Sequence, residues 1–147
     1  MVWVMDLGGM LALVYLGIFD WRTWHLPLKG LILFLIAGIL RLIFLTESSF
    51  LFSCLCSLVI WLICMISNRL TSGIGTGDIW LLVALPFWKP GDGFLYCIAA
   101  SFAFASVYGI IRYGFRDRKQ PMPFVPFLAA SFILVSVVTG IREGVLS

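Results

Sequence analysis

"GIGTGDIWLLVALPFWK", residues 73–89, sets glycines at 73, 75 and 77, then an acid, then an apolar run that stops at a lysine. From Ile79 to Trp88 the run is about 15 Å of helix, half of a bilayer hydrocarbon core of roughly 30 Å. A spanning segment here must borrow residues from its N-terminal side, "LTSGIGTGD". Asp78 then lies below the headgroups or in a water-filled notch. An acid at that depth costs a few kcal/mol unless it is protonated, paired or wetted, which makes it a candidate for function. The plainer alternative is a helix N-terminal carboxylate facing free backbone N–H groups.

The rest of the chain is equally apolar. Its 147 residues are 62% hydrophobic and 12% charged, with a mean hydropathy of +1.10. Soluble domains carry about a quarter charged residues. The composition predicts an all-α membrane protein, one domain over 1–147, and excludes a nucleic-acid surface: the net charge is only +3 and the basic residues read as loop signals of topology. Cys54, Cys56, Cys64 and Cys97 all sit in apolar runs without a CxxC pair, and read as small hydrophobes. The first residues lack the basic stretch of a cleavable signal and read as a first span.

Hydropathy places six spans, at about 2–19, 28–45, 50–66, 70–88, 93–111 and 122–141. Short connections make them a compact bundle. The odd-numbered connections hold Arg22, Lys29, Arg69, Arg112, Arg116, Arg118 and Lys119; the even-numbered ones and the C-terminus hold Arg41, Lys89 and Arg142. By the positive-inside rule the odd side is cytoplasmic and the N-terminus lies outside. Asp20, closing the first span, and Asp78, opening the fourth, then fall at one face and one depth.

The inventory narrows the chemistry. His25 is the one histidine, so an HExxH zinc site is excluded; it reads as an interfacial loop residue. No P-loop, dinucleotide fingerprint or cysteine cluster occurs. Asp20 and Asp78 remain, a pair able to share a proton so that one acts as base and the other as acid. Such a site needs no metal or organic cofactor. The remaining acids fit less well: Asp6, Glu47, Asp92 and Glu143 fall on the outer side and Asp117 in a basic loop. Gly75 and Gly77 remove side chains beside Asp78, so an extended substrate backbone can approach.

Three stretches resemble the type IV prepilin peptidases, membrane aspartic proteases of the GxGD kind. They are "FDWRTWHLP", with Asp20, Arg22, Thr23 and Pro27; "GTGD", Gly75 to Asp78; and "PFVPFLAAS", with Pro123, Phe124 and Pro126. The resemblance runs through nearly the whole chain in order. It implies Asp20 and Asp78 as the catalytic pair, supported by the glycines, Arg22 and the prolines. It implies prepilins or pseudopilins of a type IV pilus or secretion system as substrates, cut after the glycine of a short basic leader at the cytoplasmic face of the inner membrane. The similarity is to the short members, which implies cleavage without N-methylation. Membrane lipid is the other expected partner.

Two departures stand out. Trp80 follows Asp78 by two residues where lysine is common, on a position turned about 200° from the acid, and Val125 replaces the glycine of PFGPF, where it is expected to narrow access. The loop "WRTWHLPLK" mixes tryptophan with basic groups and is expected to lie along the interface and receive the leader. An inactive homologue that binds prepilins, or a small proton-coupled transporter using the two acids as a relay, are the alternatives.

Overall fold

The computed structural model describes residues 2–23, 25–45, 50–71, 75–113 and 123–146. They form six helices: α1 (Val2–Thr23), α2 (Leu28–Leu45), α3 (Phe50–Thr71), α4 (Thr76–Trp88), α5 (Gly93–Tyr113) and α6 (Val125–Leu146). The all-helical bundle expected from hydropathy is present. Phe50–Leu70 and Gly93–Arg112 are long and apolar enough to cross a membrane, and Thr76–Trp88 and Val125–Ile141 are shorter apolar stretches. The outward faces are apolar as well: Leu51, Leu55, Leu58, Val59, Leu62 and Ile66 on α3 are all exposed. In water such a surface aggregates; in lipid it is the solvent-facing surface.

Several boundaries differ from the hydropathy reading: α3 runs on to Thr71 instead of ending at 66, α6 covers Val125–Leu146 instead of 122–141, and two further shifts bear on the acids. The first span was expected to end before Asp20, but α1 continues to Thr23 and carries Asp20 within the helix. The fourth span was expected to begin at 70, but Leu70 and Thr71 finish α3 and α4 begins only at Thr76. Gly75 is extended, at φ −63 and ψ 142; glycine costs about 1 kcal/mol in a helix interior relative to alanine. Of the expected features, Gly73, Trp24, Glu47, Asp117 and the basic residues Arg116, Arg118 and Lys119 lie outside the described residues.

The short helix α4 is the axis of the bundle. It packs on α2, α3 and α5, while α1 packs on α6 and α2, and α6 on α5. Ile79, Leu81, Leu82, Ala84 and Leu85 are buried in it. Its end is set by proline chemistry. Pro90 has no N–H to give the carbonyl of Pro86, four residues back. The hydroxyl of Ser53 on α3 donates to that carbonyl at 3.1 Å, and Ser57 donates to the Val83 carbonyl at 2.8 Å. Ser53 thus satisfies a carbonyl that lipid would leave unpaired, and Ser57 adds a second tie between α3 and α4.

The next residues lock the bundle. Trp88 Nε1 donates to the Phe34 carbonyl at 3.0 Å, and its ring stacks on Phe34 at 5.0 Å between centroids. Glycines make room for it: a Cβ on Gly9 would stand 2.6 Å from the indole, and one on Gly38 2.7 Å. Lys89 Nζ then lies 2.8 Å from Asp6 Oδ2, and Arg41 Nη2 lies 2.8 Å from Asp6 Oδ1. All three side chains are buried. The reading of the basic residues as loop charges fails for Arg41 and Lys89: each has found a carboxylate inside the bundle. The arginine contact is close but not aligned as a hydrogen bond, and Asp6 Oδ1 and Arg41 Nε have no hydrogen-bond partner among the described residues. Its attraction is therefore coulombic.

Removing one member of a buried ion cluster strands the others and costs about 3–5 kcal/mol, whereas apolar replacement of the whole set is often neutral. Asp6→Ala is expected to lower the thermal unfolding midpoint in detergent sharply. The triple variant Asp6→Leu, Arg41→Met, Lys89→Met is expected to melt close to the wild-type chain. Equal losses in both would show that the ions themselves are required.

Candidate active site

Asp20 and Asp78 come from helices far apart in the chain and line one cavity of about 310 Å³. Their charges interact across it. Each carboxylate is held by a backbone N–H at a helix start. Asp20 is buried, and its Oδ2 accepts from the N–H of Val125, the first residue of α6, at 3.3 Å. That N–H belongs to the first turn of a helix, where donors have no intrahelical partner. Phe124, just ahead, accepts with its carbonyl from Phe127 and Leu128 at 3.1 and 3.2 Å, so the first turn of α6 is firmly built where Asp20 meets it.

Asp78 is the third residue of α4, and Gly75 is its N-cap. The Asp78 carboxylate accepts from the backbone N–H of Gly75, the return bond of a capping box. The helix-terminus alternative is therefore part of the geometry, and it coexists with a second carboxylate in the same cavity.

The two glycines have separate reasons. A Cβ on Gly75 would stand 3.0 Å from Asp78 Oδ2, so a side chain there would crowd the acid. A Cβ on Gly77 would stand 2.6 Å from Leu26 Cδ1 and 3.1 Å from Leu26 Cβ. Both glycines line the cavity, but the space beside Gly77 is filled by the protein's own Leu26, not held open for a substrate backbone.

The other expected residues divide. Arg22 and Pro126 line a different groove, of about 490 Å³, between α1 and α6. Pro27 starts α2, its carbonyl accepting from Gly30 and Leu31 at 2.9 and 3.2 Å. Pro123 is buried, and Phe124 packs on Phe102 at 5.1 Å between centroids. These hold the walls and do not line the cavity. Val125 is fully buried in the core, so its side chain does not narrow the cavity; its contribution to the site is its N–H. Trp80, expected to point away from Asp78, is half-exposed and lines the cavity with it.

His25, Leu26, Leu31 and Thr76 complete the lining. His25 is exposed, its Nδ1 2.9 Å from the Thr23 carbonyl, and the Thr23 hydroxyl lies 2.9 Å from both the Phe19 and the His25 carbonyls. These contacts tie His25 to the end of α1 at the cavity wall. Nothing in the local pattern of Leu26 marks it as a neighbour of Gly77. The Val125 N–H does have a signal: proline in the first turn of a helix, here Pro126, marks a helix start with free donors.

The sequence profile of the type IV leader peptidase family matches residues 7–110. The chain belongs to that family. The match covers both aspartates and ends before α6, so the "PFVPFLAAS" stretch lies beyond it. The chain is also similar to leader peptidase HopD of Escherichia coli, 41% identical over 70 residues. That alignment covers 46% of this chain and 45% of the relative, so it spans about half the length of each. No solved structure matches the chain. The cavity is where two carboxylates of this family member meet.

The Gly77–Leu26 contact yields a test of this geometry. Gly77→Ala is expected to destabilise the folded protein by about 1–3 kcal/mol through overpacking. Adding Leu26→Ala is expected to recover much of that loss in the unfolding midpoint. A double variant less stable than either single one would contradict the contact.

Proposed function

We propose that the chain is an intramembrane aspartic endopeptidase that removes the short basic leader of type IV prepilins or pseudopilins at the cytoplasmic face. The observation that carries this reading is the shared cavity of Asp20 and Asp78 in a member of a leader peptidase family. In the active state the pair holds one proton. The ionised acid takes a proton from a water, which attacks the scissile carbonyl; the protonated one donates to the carbonyl oxygen, and the proton passes on to the leaving amine. Backbone N–H groups at the starts of α4 and α6 hold the two carboxylates apart in orientation. No cofactor takes part. The product is expected to leave without N-methylation.

The orientation, with the cavity facing the cytoplasm and the N-terminus outside, is supported by the distribution of cations. Of the three cations counted on the outer side, Arg41 and Lys89 are paired with Asp6 inside the bundle. Discounting them sharpens the bias toward the side of Arg22, Lys29 and Arg69. A proton-coupled transporter fits less well. Along α1 and α4, Leu13, Leu16, Leu82 and Leu85, all buried in the apolar core, separate the Asp20–Asp78 cavity from Asp6, and a relay needs titratable groups or water along that path.

Asp20→Asn and Asp78→Asn are each expected to abolish cleavage while the protein stays folded and inserted, since asparagine keeps the size but cannot exchange a proton. The double variant is expected to lose little more than either single one, as for groups acting as a unit. The wild-type rate is expected to trace a bell against pH, because activity needs one proton on the pair. The assay follows the bond after the leader glycine in a synthetic prepilin peptide by mass analysis. Near wild-type cleavage by Asp78→Asn would end the aspartic reading. Failure of the wild-type chain to cut any prepilin of its own genome would favour a prepilin-binding homologue instead.

A further inference from the structure

The catalytic cavity does not close on itself. Leu28, Leu31 and Trp80 line it, and the same three side chains line a second hollow of about 370 Å³ between α2 and α4, completed by Ile32 and Leu35. The four α2 positions fall at 28, 31, 32 and 35, the i, i+3, i+4, i+7 spacing of a helix face that packs against another helix. No helix of the described chain covers it: Leu28 is 67% exposed, Ile32 48% and Trp80 49%. The hollow is apolar, faces outward from the bundle, and begins where the carboxylates end.

The α1–α6 groove is larger, at about 490 Å³, but it shares no lining residue with the catalytic cavity. Between them stands the Asp20–Val125 hydrogen bond. A substrate lying there would have to cross that bond to reach Asp78.

We infer that the α2–α4 hollow is the seat of the substrate's apolar helix, with Trp80 as the residue the chain passes as it leaves the carboxylates. The inference rests, for its substrate, on the leader peptidase reading. The resemblance to prepilin peptidases implies a substrate whose basic leader is followed by an apolar helix, and a bond cut at that junction joins two unlike halves. The basic leader is at home in water, and the helix that follows cannot leave lipid without exposing its apolar surface to water. An enzyme for that bond needs a polar cavity for the peptide unit that opens directly onto a lipid-level apolar seat. The shared wall of Leu28, Leu31 and Trp80 joins the two. Trp80 gives that wall an apolar surface, which makes it a specificity-determining position.

The test uses two synthetic peptides with the same basic leader and glycine: one continues through a complete apolar helix, the other stops a few residues past the glycine. In the wild-type chain the long peptide is expected to have the lower KM. Leu35→Trp, which fills the hollow, is expected to reduce the long-to-short ratio of kcat/KM at least tenfold, and Ile133→Trp in the α1–α6 groove to leave that ratio unchanged. A second measurement does not depend on turnover: a photoreactive benzoylphenylalanine at exposed Ile32, in the Asp78→Asn background, is expected to cross-link to the apolar segment of the long peptide. A ratio unmoved by Leu35→Trp, with cross-links only to lipid, overturns the inference while cleavage by the wild-type chain leaves the peptidase reading intact. If the wild-type chain cuts neither peptide, the peptidase reading falls, and the Ile32 cross-link alone decides whether the hollow seats a prepilin helix.

Discussion

One buried carboxylate, Asp6, sits between two cations, and the arrangement of the helices follows from it. Asp6 is on α1, Arg41 is on α2 and Lys89 caps α4, each contact being 2.8 Å. Charges taken out of water attract strongly only when they meet, and cost several kcal/mol each when they do not. Three helices are therefore obliged to bring their ends to one place. The cluster has two cations for one anion, and the ring of Phe132 on α6, 5.1 Å from Lys89 Nζ, faces the excess charge with the negative side of its quadrupole. Beside it, Trp88 fills the space left by Gly9 and Gly38.

Anchoring α4 at that end determines where its other end lies. The helix is 13 residues long, so its first turn stands about 20 Å from the anchor. The acid in that turn, Asp78, shares its cavity with Asp20, in the last turn of the long first helix. A short α4 beside a long α1 is what lets the two carboxylates share a cavity at one end while their helices are locked at the other. The site is thus positioned by rigid elements, with His25 of the α1–α2 connection at its wall.

Much of this was legible in the sequence, for physical reasons. Apolar runs long enough to span a bilayer announced the helices, and two acids beside such runs marked the pair that shares a cavity, because lipid makes every charge conspicuous. What hydropathy missed were contacts between side chains distant in the chain. Arg41 and Lys89 read as loop charges because no window shows that Asp6 waits for them. Gly77 read as an opening for substrate because its filler, Leu26, lies in another connection. Val125 read as an obstruction, although its contribution is a backbone N–H, which is the same for every residue but proline. Trp80 was placed by helical angle alone, which left out that it lines the cavity with Asp78.

The meeting of Asp20 and Asp78 across one cavity can be tested without any substrate. Cysteines placed at 20 and 78, with Cys54, Cys56, Cys64 and Cys97 replaced by alanine, can be treated with a short bismaleimide in native membranes and read by intact-mass analysis. One intramolecular bridge per chain is expected, formed far faster than by a pair at 7 and 78, whose members lie at opposite ends of the bundle. Two separate adducts at 20 and 78, with no bridge, would contradict it.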